Sequence, residues 1–167
     1  MKELELKLIC ELLKNDYRSD RELAKVLGIS QPTVSRNLKK LKEEGVIREH
    51  TIIPDFRKLG IELMAFTFGV WSAEKIQNFT AEERLEKAKK FLSEHPNVVF
   101  ASSGEGLGMG RIIVTFHKDY SAYSQFIKEA QLEWAGSVKL ESFIVDLKTA
   151  VAPFPFSLVN LGKFIEK

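Results

Sequence analysis

A side-chain amide, two hydroxyls and a guanidinium fall together at Gln31, Thr33, Ser35 and Arg36, and the ammonium groups of Lys39 and Lys40 follow. These are the groups that can read base edges in a duplex major groove: a Gln amide pairs with adenine and a guanidinium with guanine. Lysines placed further along suit phosphates, which position a protein without specifying sequence. Ser30, just upstream, is an N-cap candidate, and the free amides and dipole of a helix start favour a phosphate. The candidate contact set is therefore Ser30, Gln31, Thr33, Ser35, Arg36, Lys39 and Lys40, and the partner it implies is double-stranded DNA. An ordinary solvated helix face can carry the same residues, so the elements that present them decide the matter.

Those elements are legible from residue 4 onward. Leu4, Leu6, Leu8, Ile9, Leu12 and Leu13 make a helical apolar stripe that ends near Asn15. Ser19 with Glu22 is a capping box, and Leu23, Ala24, Val26 and Leu27 supply the buried face of a short second helix. Gly28 is placed to stop that helix in the left-handed conformation, with Ile29 plugging the turn. Ser30 and Pro32 open a third helix, in which Val34, Leu38 and Leu41 point inward. Gly45 ends it, with Val46 placed for the apolar contact of a Schellman stop. Two short helices joined by a Gly turn, the second basic on its outer face, have the layout of a helix-turn-helix. Val46, Ile47, Ile52 and Ile53 then read as short extended stretches, a wing or a strand, ending at Pro54. Arg48, His50 and Arg57 are either backbone contacts or solvated loop residues.

Charge points the same way. Of the 25 Lys/Arg and 23 Asp/Glu, residues 1–50 hold 11 basic and 9 acidic side chains and the remainder is balanced. The whole excess lies in the first third, although so small a net charge does not by itself argue for nucleic acid. Cys10 is the single cysteine, so no internal disulfide is possible, and no Cys/His cluster has zinc spacing. Neither a metal nor a cofactor is expected. The opening Met-Lys-Glu-Leu-Glu-Leu-Lys has no uninterrupted apolar stretch, so no signal peptide is expected, nor any membrane span. A cytoplasmic setting follows.

Residues 54–61, punctuated by Pro54 and Gly60, read as a linker. After them the pattern becomes β-α-β-β-α-β. Strands are predicted over Glu62–Trp71, Asn97–Ser103, Arg111–Phe116 and Val138–Leu147. One helix is opened by the capping box Thr80/Glu83 and buries Leu85, Ala88, Phe91 and Leu92. A second carries Tyr120, Tyr123, Phe126, Ile127 and Ala130. Gly104, Gly106, Gly108 and Gly110 read as a flexible turn between the middle strands. The order is that of the ferredoxin-like split βαβ fold, whose sheet has helices on one face only. The other face, to which Ile113, Phe143, Val145 and Leu147 are assigned, is too apolar to stay wet, so a homodimer or higher homo-oligomer is expected. The expected class is α+β, with a (winged) helix-turn-helix domain at 1–53, a linker at 54–61, a ferredoxin-like dimerisation and regulatory domain at 62–149 and an apolar C-terminal extension at 150–167. That extension, extended at Pro153 and Pro155 and helical from Ser157 to Glu166, is expected to pack on its own domain or across a dimer interface.

The stretch DRELAKVLGISQPTVSRNLKKLKEEGVIREHTIIPDFRKLGI resembles the N-terminal domain and linker of the Lrp/AsnC transcription regulators, and the pattern of 63–148 resembles their regulatory domain. The resemblance implies a sequence-specific DNA-binding regulator dimerising through its sheet domain, and amino-acid or related effectors bound between regulatory domains. Gly104 matches the glycine that closes the second strand in that family, which makes Gly104, Glu105 and Gly106 the effector-binding candidates. The usual acidic-aromatic-acidic turn is absent after it. Two alternatives share the architecture. One is an enzyme acting on a tetrapyrrole, as Lrp-like sirohaem decarboxylases do, with His95, His117 and Arg111 as candidates. The other is an architectural DNA-binding protein without a ligand. The Gly-rich turn is not G-x-G-x-x-G and joins two strands, so it fails the test for a dinucleotide loop.

Overall fold

The computed structural model describes residues 2–72, 79–134, 136–151 and 157–166. The chain forms two compact units, Met1–Ile53 with Ala152–Lys167, and Pro54–Val151.

The first unit contains helices α1 (Glu3–Lys14), α2 (Asp20–Leu27) and α3 (Gln31–Glu43), with α6 (Val159–Ile165) from the C-terminal end. Leu8, Leu23, Ala24 and Val34 form its core, flanked by Leu12, Ile29 and Leu38. Val26 is exposed, unlike its expected place on the buried face. In a helix of eight residues, Leu23, Ala24 and Leu27 already span the side that meets the core. The caps are those of the sequence: Ser19 N–H donates to Glu22 Oε2 at 2.7 Å, and the Glu22 amide donates back to Ser19 Oγ. Gly28 has φ +66°, and Ile29 N–H reaches Ala24 O at 3.0 Å, closing the Schellman turn. Gly45 has φ +69° and is followed by the equivalent bond from Val46 N–H to Leu41 O. The segment from Val46 to Ile53 forms no strand.

The apolar tail ends as a helix against α1. A Cβ on Gly162 would lie 2.8 Å from the Cys10 carbonyl oxygen, so the two helices meet where only glycine fits. Lys14 Nζ bridges Glu11 Oε1 at 2.7 Å and Glu166 Oε1 at 2.5 Å. The extended start read at Pro153 and Pro155 lies outside the described residues.

In the second unit a 3-10 turn (Phe56–Leu59) precedes β1 (Leu63–Trp71), α4 (Ala81–Glu94), β2 (Val98–Gly106), β3 (Met109–His117), α5 (Tyr120–Glu133) and β4 (Val138–Asp146). The four strands form an antiparallel sheet in the order β2-β3-β1-β4. This is the ferredoxin-like order that the sequence implied. Phe91, Phe126 and Ala130 form the core between helices and sheet.

The two faces of β1 divide in an instructive way. Leu63, Ala65 and Thr67 are buried beneath the helices, whereas the larger apolar side chains of Met64, Phe66, Phe68 and Val70 are only half-covered. Thr67 is accommodated because its hydroxyl pairs with Ser142 Oγ at 2.9 Å. The register pairs Ile113 with Thr67, so Ile113 faces the helices and not the open face to which the sequence assigned it. Phe143, opposite Phe66, does lie on the open face and is 67 % exposed. Phe56 stacks on Phe116 at 4.3 Å and covers one corner of that face. The four-glycine turn is tighter than expected. Gly106 pairs with Met109, leaving a two-residue turn with both Leu107 (φ +55°) and Gly108 (φ +69°) left-handed, the type I′ geometry that suits strand twist.

Candidate nucleic-acid interface

α3 starts at a built N-terminus. Ser30 Oγ accepts from the Thr33 amide at 3.3 Å and lies 2.8 Å from Thr33 Oγ1, so both hydroxyls serve the cap. Pro32 sits in the first turn, where an amide would have no helical partner. Ser35 donates to a carboxylate oxygen of Asp20, joining α3 to the start of α2. Asn37 turns back on its own helix, its amide donating to Thr33 O at 2.7 Å.

Gln31 and Arg36 differ. Both are exposed, and neither side chain has a hydrogen-bond or ion-pair partner among the described residues. Lys39 is exposed and has only a long pairing with Glu43 at 3.8 Å. Lys40 is committed: its Nζ lies 2.6 Å from Glu5 Oε1, and Glu5 is 2 % exposed. The Lys40 bond, with a second bond from the Lys2 amide, holds the Glu5 carboxyl below the usual carboxylate range. Of the seven predicted contact residues, then, Gln31, Arg36 and Lys39 are available for a ligand. Ser30, Thr33, Ser35 and Lys40 are bonded within the fold. Glu5 and Asp20 were missed by sequence reasoning, because a partner 35 or 15 residues away leaves no local signal.

The effector candidates Gly104, Glu105 and Gly106 lie exposed at the end of β2, leading into the type I′ turn. The histidines raised for a tetrapyrrole site face inward. His117 Nε2 lies 2.8 Å from Thr115 Oγ1, and burial lowers its pKa against the opposing pull of Asp119. His95 Nδ1 lies 2.6 Å from the Phe91 carbonyl oxygen and Nε2 3.1 Å from Glu129 Oε2. Both rings pack on Phe126, whereas Arg111 lies over Trp71. Among the described residues no group of His, Cys, Asp and Glu could hold a metal, and no helix is long and apolar enough to cross a membrane.

Residues 1–48 match a family model described as winged helix-turn-helix DNA-binding. An uncharacterized HTH-type transcriptional regulator of Pyrococcus furiosus is 30 % identical over 152 residues, 88 % of this chain and 94 % of that protein. The HTH-type transcriptional regulator LrpA of Pyrococcus abyssi is 36 % identical over 107 residues, 64 % of this chain and 71 % of that one. The chain belongs to the Lrp/AsnC family. In fold, this Lrp/AsnC protein also matches the crystal structure of an AsnC family regulator from Agrobacterium tumefaciens, with a TM-score of 0.73 at 22 % identity over 94 % of each chain. It is thus an Lrp/AsnC-type helix-turn-helix transcriptional regulator.

Proposed function

We propose that this regulator binds DNA sequence-specifically through the N-terminal half of α3, with Gln31 and Arg36 reading base edges and Lys39 holding a phosphate. The observation that carries this reading is the division of labour on α3. Ser30, Thr33, Ser35 and Lys40 are held by protein partners, and the uncommitted polar groups are left together on the outer face. Such groups placed early in the second helix of a helix-turn-helix lie where base contacts are made.

The protein acts as a homodimer or higher homo-oligomer joined through the open face of its sheet. Phe66, Phe68 and Phe143 on that face support this, since an apolar surface without helices needs a cover. A small effector is expected to modulate the complex, in keeping with the family. A binding selection on random duplexes, with footprinting, tests the reading. Two half-sites about one duplex turn or a multiple apart are expected. A stable monomer protecting a single half-site would refute the assembly. Selection of no consensus would refute base reading and favour the ligand-independent architectural alternative.

A further inference from the structure

The sheet domain holds a cavity of about 270 Å³ between the helix-facing side of the sheet and α4. Gly69 keeps it open. A Cβ there would lie 3.3 Å from Val138 Cγ1, 3.4 Å from Leu140 Cδ2 and 3.9 Å from Arg111 Cβ, all three being wall residues. The wall is otherwise mostly aliphatic and aromatic. Trp71 and Trp134 meet edge to face at 5.2 Å, with Leu85 and Phe91 beside them in the lining.

Two groups in this wall are out of keeping with it. Arg111 lies with its guanidinium 5.3 Å from the Trp71 ring centroid and has no ion-pair or hydrogen-bond partner among the described residues. Burial and then the neighbouring Arg84 cation lower its pKa, the direction expected of a cation lacking an anion. A guanidinium nevertheless remains charged. The Trp71 Nε1–H is buried and has no acceptor among the described residues. Both are donors, and among the described residues the lining contains no Asp or Glu. A negatively charged acceptor would satisfy the guanidinium fork in two hydrogen bonds, and an apolar body would fill the rest. An α-amino acid fits less well, because its ammonium would sit beside a guanidinium with no acid among the described lining residues to receive it. The volume is just under the roughly 300–1,000 Å³ of ordinary ligand pockets, which limits the ligand to a small molecule.

We propose that this cavity is a binding site for a small apolar carboxylic acid without an amino group, such as a branched-chain or aryl-alkanoic acid, with Arg111 receiving the carboxylate. The site is built within one sheet domain and does not rest on the DNA reading.

Trp71 and Trp134 are the only tryptophans and both line the cavity, so indole emission reports on it directly. The full chain is titrated with 4-methylpentanoate and 3-phenylpropionate, and in parallel with L-phenylalanine and 3-phenylpropylamine. Saturable emission changes are expected for the two acids, binding at least about tenfold weaker for L-phenylalanine, and none for the amine. Arg111→Gln is expected to weaken the acids by at least about tenfold. Gly69→Val, which fills the cavity without altering charge, is expected to abolish binding, with circular dichroism confirming that both variants fold. Absence of saturation with either acid, equal binding of the amine, or unchanged affinity in folded Arg111→Gln would overturn the proposal. If a variant does not fold, the ligand series on the unaltered protein still decides.

Discussion

Lys40 Nζ lies 2.6 Å from Glu5 Oε1, so a lysine on α3 is anchored to the first turn of α1. The buried end of the pair is the carboxylate, which also accepts the Lys2 amide at 2.7 Å. The bond fixes the orientation of α3 against α1, and with it the direction in which Gln31 and Arg36 project.

Lys40 and Lys39, one residue apart, are therefore expected to behave differently. Lys40→Ala leaves Glu5 without its cation, so it lowers the melting temperature of the first unit. Its effect on DNA affinity then follows the loss of folded protein. Lys39→Ala leaves the melting temperature unchanged, weakens all duplexes similarly and reduces the salt slope by about 1. Thermal melts paired with binding isotherms at several salt concentrations separate the two.

The Glu5 carboxyl titrates lower in the folded than in the unfolded chain, chiefly through Lys40. Its stabilisation is thus complete above the unfolded value of roughly 4.3 and is lost as pH falls through the folded value. Glu5→Gln is expected to melt below the wild type at about pH 6, and the gap to close by about pH 3. A gap that persists at low pH would show that the side chain acts through shape and not charge.

Arg36→Ala is expected to relax base preference at one position of each half-site at a cost of roughly 1–3 kcal/mol against the preferred sequence, with stability unchanged. Competition between the selected site and single-base variants measures it. Equal losses on all sequences would place Arg36 on a phosphate.

Gly28 adopts φ +66° with nothing near enough to meet an added Cβ, so substitution there is a test of conformation alone. Gly28→Ala is expected to cost about 1 kcal/mol, or a fall of about 4–8 °C in melting temperature for a unit of this size. Gly60→Ala, also left-handed and open, is expected to cost a similar amount while leaving DNA affinity intact.

Gly162→Leu is expected to lift α6 from α1, since even a Cβ meets the Cys10 carbonyl oxygen at 2.8 Å. Cys10 is the single cysteine and is fully buried, its thiol pKa pushed up mainly by burial. Its reaction with a thiol reagent is expected to quicken severalfold in the variant, and an unchanged rate would mean that α6 does not shield it.

Local patterns determined much of this protein. Capping boxes at Ser19 and Thr80, left-handed glycines at 28 and 45, and the alternation of apolar residues depend on neighbours within a few positions, so helix ends and strand order were legible without coordinates. Only the tertiary structure decided which face of the sheet is the core. Both faces of β1 are apolar enough to be buried, and the helices chose the smaller side chains, leaving Met64, Phe66 and Phe68 half-covered. It also decided which polar residues on α3 are available, because the partners that hold Ser35 and Lys40 come from other helices. Arg111 could be singled out as a basic residue in a strand. Its place in an apolar wall beside Trp71 depends on register and on a missing side chain at Gly69, and long-range packing alone sets both.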